Sequence, residues 1–241
     1  MKTNLLLKTY IAFSVLYLII IFLNFEEFDW YMKPLLLPIL LLAVYFSDSF
    51  TTKKILLTAL FFSWIGDIIL LFTDKGELYF IFGLVAFLLS HVVYIVLFSK
   101  QKNTRINDNK LVFGLGIVAI LAYFTIMITT LFPKLGPLKI PVLVYAVVIT
   151  TMLFFAFRGS LKWAIPANQY ILIGAIVFVS SDSILAFNKF YAPIAHASFF
   201  IMTTYCMAQY LIVAGILKLN TKQIESYNNL GVTPLRKEAN L

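Results

Sequence analysis

Charge is what this sequence has least of. Only 12% of its 241 residues are Asp, Glu, Lys or Arg, against about a quarter in soluble domains. That scarcity excludes a disordered chain, a coiled coil and an ordinary water-soluble enzyme. Cysteine is scarcer still. Cys206 stands alone, so neither an intrachain disulfide nor a cysteine metal cluster can form. Histidine is limited to His91 and His196, which excludes a three-histidine zinc site within one chain. There is no G-x-S-x-G elbow, no H-E-x-x-H helix and no phosphate-binding glycine loop. A serine-hydrolase reading has little support. Two aspartates and a histidine could hold a metal, but no spacing demands one, so neither metal nor cofactor is expected.

What fills the space is apolar. Hydrophobic residues make up 61% of the chain, and the mean hydropathy is +0.93. Such a chain needs lipid as its solvent. Eight apolar runs can be marked, over 9–25, 32–47, 54–73, 79–98, 111–132, 140–157, 169–187 and 193–217. The expected fold is an all-α, polytopic membrane bundle of about eight spanning helices. It forms a single domain over 1–217, followed by a polar cytoplasmic tail over 218–241. The second run carries Pro34 and Pro38, breaks that neighbouring helices can tolerate. The first run follows Lys2 and Lys8 as a signal peptide would. It ends in Asn24-Phe25-Glu26-Glu27 without a small-residue cleavage site, and reads as a retained helix.

The net charge of +8 lies in the connections. It reads as membrane topology rather than nucleic-acid binding. Of 19 basic residues, 14 collect on one side, among them Lys53, Lys54, Lys100, Lys102, Arg105 and Lys110. The other side has Lys33, Lys75, Lys134, Lys139 and Lys189. Both termini are therefore expected in the cytoplasm. A multi-pass protein of a bacterial inner membrane fits this pattern. The basic 99–110 connection reads as a topology signal touching anionic lipid. One repeat is visible: Gly66-Asp67-Ile68-Ile69-Leu70-Leu71-Phe72 parallels Ser181-Asp182-Ser183-Ile184-Leu185-Ala186-Phe187 at an offset of 115. It implies a parallel four-plus-four duplication about an axis along the membrane normal.

Of the 11 acids, only Asp67 and Asp182 lie inside runs. Each is placed roughly 20 Å from the cytoplasmic end of its helix, in the outer half of the hydrocarbon. An ionised carboxylate there costs about 3 kcal/mol or more, and no base lies near it in either run to offset it, Lys54 being 13 residues from Asp67. Two such acids at one depth point to function. The competing reading is that serine, threonine or backbone groups satisfy them and that they only join helices. On the fourth run Gly83, Phe87, His91 and Tyr94 share a face. On the seventh Gly174, Phe178 and Asp182 do, and on the eighth Tyr205 and Gln209. Interhelical packing and hydrogen bonding would explain these stripes equally well. Asn168 and Asn188 read as caps, and His196 as an interfacial residue.

Taken in order, Gly66-Asp67, Gly83, Phe87, His91, Tyr94, Gly174-Ala175, Phe178, Ser181-Asp182, Tyr205 and Gln209 resemble the lysoplasmalogenase family, the YhhN-type membrane proteins. The resemblance implies hydrolysis of the vinyl ether bond of a lysoplasmalogen or related ether lysolipid. The products would be a fatty aldehyde and a glycerophospho-base. The chemistry suits the residues. A vinyl ether is hydrolysed by protonating carbon, which leaves an oxocarbenium ion for water to attack. One buried carboxylic acid can supply the proton and a second carboxylate can face the cation, as in glycosidases. Asp67 and Asp182 are the expected acid pair, with His91 to position or deprotonate water. Tyr94, Tyr205 and Gln209 would orient glycerol or phosphate. Phe87 and Phe178 would shield the cation or line the chain tunnel. The alternatives are a proton-coupled transporter of lipids or small molecules, since intramembrane Asp and His also build proton relays, and a non-catalytic lipid-binding scaffold.

Overall fold

The computed structural model describes residues 2–103 and 109–229. Among these are eight α-helices and no strand: α1 Lys2–Phe22, α2 Asp29–Tyr45, α3 Lys53–Leu70, α4 Glu77–Ser99, α5 Lys110–Leu131, α6 Lys139–Ser160, α7 Ala167–Ala186 and α8 Ala197–Asn229. Each apolar run of the sequence becomes one of them. Six are long and apolar enough to cross a membrane. The exceptions are α2 and α3. The 17 residues of α2 span about 26 Å, short of the roughly 30 Å hydrocarbon. Helix α3 has 18 residues and carries Lys53, Lys54 and Asp67.

Seven helices close a ring: α1 packs on α2, then α2 on α3, α3 on α4, α4 on α6, α6 on α7, α7 on α8, and α8 back on α1. The tightest neighbours are α7 with α8 and α3 with α4. Helix α5 stays outside, against α6. Only Leu131 of α5 is buried, while Leu111, Leu115, Val118, Leu121 and Ile126 are exposed. A helix apolar on every face suits lipid, not water.

The proline pair in α2 is accommodated by its neighbour. Pro38 has no N–H, so the carbonyl of Pro34 loses its helical partner. Trp64 of α3 supplies a donor instead, with Nε1 at 2.8 Å from Pro34 O.

One boundary differs from expectation. Helix α8 continues past residue 217 to Asn229. Leu219 and Asn220 are buried. Asn220 Nδ2 donates to Gln101 Oε1 at 3.3 Å, and Gln101 Nε2 donates to Thr52 Oγ1 at 2.9 Å. Asn220 is thus paired within the bundle. The rest of the expected tail, from 230, and the 104–108 part of the basic connection lie outside the described residues.

Candidate active site

A cavity of about 1080 Å³ enters the ring at one end. Its mouth is formed by the α1–α2, α3–α4 and α7–α8 connections, with Asn24, Glu27, Thr73, Asp74, Asn188, Lys189 and His196 on the wall. Asn24 and His196 both take left-handed backbone, at φ 61° and 53°. The His196 ring stacks on Phe22 with centroids 5.9 Å apart. Asn188 Oδ1 accepts from the Ile194 N–H at 2.9 Å and pins the connection into α8. At the other end of α7, Asn168 Nδ2 donates to Ser160 O at 2.8 Å. Neither asparagine is the cap of α7 that the sequence suggests, those positions being Pro166 and Phe187; both tie neighbouring connections instead.

Deeper in the cavity, Asp67 and Asp182 face the same space from different helices. Asp67 is near the end of α3 and Asp182 near the end of α7. Asp67 is 2% exposed, and its Oδ2 accepts from Tyr205 Oη of α8 at 2.7 Å. The Asp182 side chain is 15% exposed. Its Oδ2 accepts from Tyr145 Oη of α6 at 2.5 Å and lies 3.1 Å from His91 Nε2 of α4. His91 Nε2 is also 3.0 Å from Tyr145 Oη. Two carboxylates thus belong to two hydrogen-bonded clusters, carried by five of the seven ring helices, α3, α4, α6, α7 and α8.

Aromatic rings fill the space between the clusters. Phe178 packs edge-on against Tyr205 at 5.7 Å and against His91 at 4.8 Å, touching a partner of each carboxylate. Phe87 meets Tyr205 at 5.8 Å. Gly66, next to Asp67, makes this possible. A Cβ there would meet the Phe87 ring at 2.6 Å. The glycine therefore lets Phe87 lie over α3 beside the acid.

The structure gathers the eight candidate site residues but sorts them into two layers. Asp67, Asp182, Phe87 and Tyr205 form cavity wall. His91, Phe178, Tyr94 and Gln209 stand behind it. Tyr94 Oη donates to Gln209 Oε1 at 2.7 Å, both fully buried. This pair joins α4 to α8 and does not face the cavity. His91 reaches the cavity only through Asp182. Its Nδ1 and Gln209 Nε2 make no hydrogen bond among the described residues. Tyr94, Gln209 and His91, expected to touch glycerol, phosphate or water, thus lie one layer behind the cavity surface.

Three participants escape a reading of the sequence. Tyr145 is one of 13 tyrosines and shares no stripe with an acid. Only the α4–α6–α7 packing brings it to Asp182. Tyr17 of α1 donates to Asp29 Oδ1 of α2. Lys33, counted with the outer connections, lies in α2 on the wall of the cavity that also holds Asp67. The seventh run holds no base and the third has only Lys54, 13 residues from Asp67 at the far end, but the neighbouring helix α2 brings Lys33 to the cavity. Among the described residues, no three His, Cys, Asp or Glu side chains converge as a metal site would require.

The YhhN family model matches residues 28–216, from the start of α2 to α8, and so takes in both carboxylate clusters. The chain belongs to the YhhN family. Human lysoplasmalogenase TMEM86B is 30% identical over 202 residues, covering 80% of this chain and 78% of that protein. Human lysoplasmalogenase TMEM86A is 30% identical over 175 residues, or 70% and 67% of the two chains. The lysoplasmalogenase of Mycobacterium tuberculosis is 29% identical over 139 residues, 56% of this chain and 50% of its own length. No solved structure matches the chain significantly. The family assignment therefore comes from sequence, and the geometry of the site from the structure described above.

Proposed function

We propose that this protein is a membrane hydrolase that cleaves the vinyl ether bond of a lysoplasmalogen or closely related ether lysolipid. The observation that carries the reading is the pair of carboxylates, Asp67 and Asp182, on the wall of one deep cavity. The names of the family relatives support the substrate class. The volume of about 1080 Å³ is at the upper end of ligand pockets, as a lysolipid requires.

The division of labour follows from hydrogen bonds. An ionised carboxylate only accepts, and Asp182 Oδ2 faces both Tyr145 and His91. Asp182 is the standing carboxylate. Asp67 has one donor, Tyr205, on Oδ2, which leaves Oδ1 to carry the proton. Asp67 gives that proton to the alkenyl carbon remote from oxygen. The C=C electron pair forms the new C–H bond, and positive charge develops on the adjacent carbon and the ether oxygen. Asp182 stabilises that charge through space. Water adds to the cationic carbon and returns a proton to Asp67. The hemiacetal then breaks its bond to the glycerol oxygen, which takes up a proton as the aldehyde forms. One water is consumed, and the protein ends as it began. His91 and Tyr145 orient Asp182; Phe87 and Tyr205 shield the cation. With both termini cytoplasmic, as the loop charges favour, the cavity mouth faces the opposite side of the membrane.

Purified protein in detergent should release fatty aldehyde from lysoplasmenyl-ethanolamine. No aldehyde from folded protein would overturn the substrate assignment. Uptake into proteoliposomes driven by a pH gradient, without aldehyde, would replace the enzyme by a carrier. Tyr145→Phe removes one of the two groups on Asp182 Oδ2 and leaves His91 in place. Loss of a hydrogen bond to a charged group costs about 1.5–3 kcal/mol. Steady-state kinetics should therefore show kcat lower by roughly 10- to 100-fold with KM little changed.

A further inference from the structure

We propose that Lys33 binds the phosphate of the lipid headgroup and so makes the cavity selective for phospholipid over neutral ether lipid. This deepens the lysoplasmalogen reading and rests on it for the identity of the lipid.

The Lys33 ammonium lines the cavity without an ion-pair partner among the described residues. Lys33 lies on α2. It stands four residues beyond Asp29, the spacing at which a helix pairs opposite charges. That pairing is not made. Asp29 Oδ1 instead accepts from Tyr17 Oη of α1. Among the described residues Lys33 forms neither an ion pair within 4.0 Å nor a hydrogen bond. The other lysine on the cavity wall is differently placed. Lys189 Nζ sits 4.9 Å from the centre of the Phe80 ring. Lys75, nearby on the α3–α4 connection, sits over Phe72 and Trp30 at 4.9 and 5.9 Å. Their charges already have aromatic partners.

Depth supports the same assignment. Lys33 is about 6 Å further along α2 than Asp29, and it lines the same cavity as Asp67. The glycerol backbone of a lysoplasmalogen carries the vinyl ether on one terminal carbon and the phosphate on the other. With the ether at Asp67, the phosphate falls beside the neighbouring cation. The mouth, in contrast, is acidic: Glu27, Asp29 and Asp74 line it with Trp30 and Tyr31. That rim repels phosphate and suits the ammonium of an ethanolamine or choline. The zwitterion therefore enters with its anion inward, on Lys33, and its cation outward, among carboxylates and aromatic faces.

The test is a binding measurement, so it does not depend on turnover. The probes are 1-O-alkyl-glycerophosphoethanolamine, whose saturated ether resists hydrolysis, and 1-O-alkylglycerol, which lacks the phosphate. Wild-type protein should bind the first at least about tenfold more tightly. Lys33→Gln should lose that ratio and Lys33→Arg should keep most of it. Lys75→Gln should leave the ratio as it is in wild type. Equal binding of the two probes by wild type, or an undiminished ratio in folded Lys33→Gln, would overturn the proposal. Displacement of the phospholipid probe by millimolar inorganic phosphate would assign the site to a free anion and overturn it as well. Phosphate selectivity that depends on Lys33, in a protein that releases no aldehyde, would uphold the anchor while removing the hydrolase reading.

Discussion

Asp67→Asn should lower aldehyde release by roughly 10²- to 10⁴-fold while the protein stays folded. General acid catalysis contributes roughly 10²- to 10⁴-fold, and asparagine carries no transferable proton. Its carbonyl oxygen still accepts from Tyr205 Oη, now 2.7 Å from Asp67 Oδ2, so the α3–α8 link survives. Shape and volume change little, and a potential charge at a site 2% exposed is removed. The thermal midpoint should hold or rise. Asp182→Asn should also cost turnover, by about 10²- to 10³-fold, through lost stabilisation of the cation. Here the amide also has an N–H₂ to place near Tyr145 and His91, so a rearranged cluster is expected beside the kinetic loss. Aldehyde assays beside melting curves check both variants. Full turnover in both would sink the acid-pair mechanism. Loss of folding together with activity would mean that the acids only join helices.

Gly174→Leu should do the reverse and remove the fold first. A Cβ at Gly174 would meet Ile212 Cγ1 at 2.8 Å, the Ile212 backbone nitrogen at 3.0 Å and Leu211 Cβ at 3.1 Å. Helix α8 backbone cannot swing aside as a side chain can. Overpacking of this kind costs about 1–3 kcal/mol for small additions, and leucine adds three carbons beyond the Cβ. The apparent midpoint should fall by roughly 10 °C or more, and activity should go with it, since Phe178 and Asp182 ride on the same face of α7. Two other glycines calibrate the effect. At Gly83 the obstacle is the side chain of Leu70, at 2.5 Å, which can turn away, so Gly83→Ala should be mild. At Gly114 nothing lies within 4 Å, and Gly114→Leu should leave the midpoint near that of wild type. Equal melting of the Gly174 and Gly114 variants would contradict the close α7–α8 packing.

Much of this protein is legible in one dimension. Scarce charge and long apolar runs dictate helices, because a backbone in hydrocarbon must satisfy its own hydrogen bonds. Asp67 and Asp182 stand out because a carboxylate in an apolar run carries a cost that composition alone exposes. The stripes through Phe87, His91 and Tyr94, and through Phe178 and Asp182, follow from helical periodicity, which is local. Periodicity shows that residues share a face but not what that face meets. It puts His91 and Tyr94 on one face of α4, yet the order of helices around the ring turns His91 toward Asp182 and Tyr94 toward Gln209. Nor does it reveal Tyr145, which reaches Asp182 only because α6 packs between α4 and α7 while α5 is left outside. Lys33 reads as one more basic residue near an interface until α2 is seen beside the cavity that holds Asp67. The sequence by itself determined that the chain is a helical membrane protein with two costly acids, since hydropathy and ionisation belong to single residues and their neighbours in the chain. Which groups hold those acids, which residues reach the cavity and where a phosphate would find a cation were decided by tertiary structure alone, because hydrogen bonds and unpaired charges depend on distances between helices far apart in sequence.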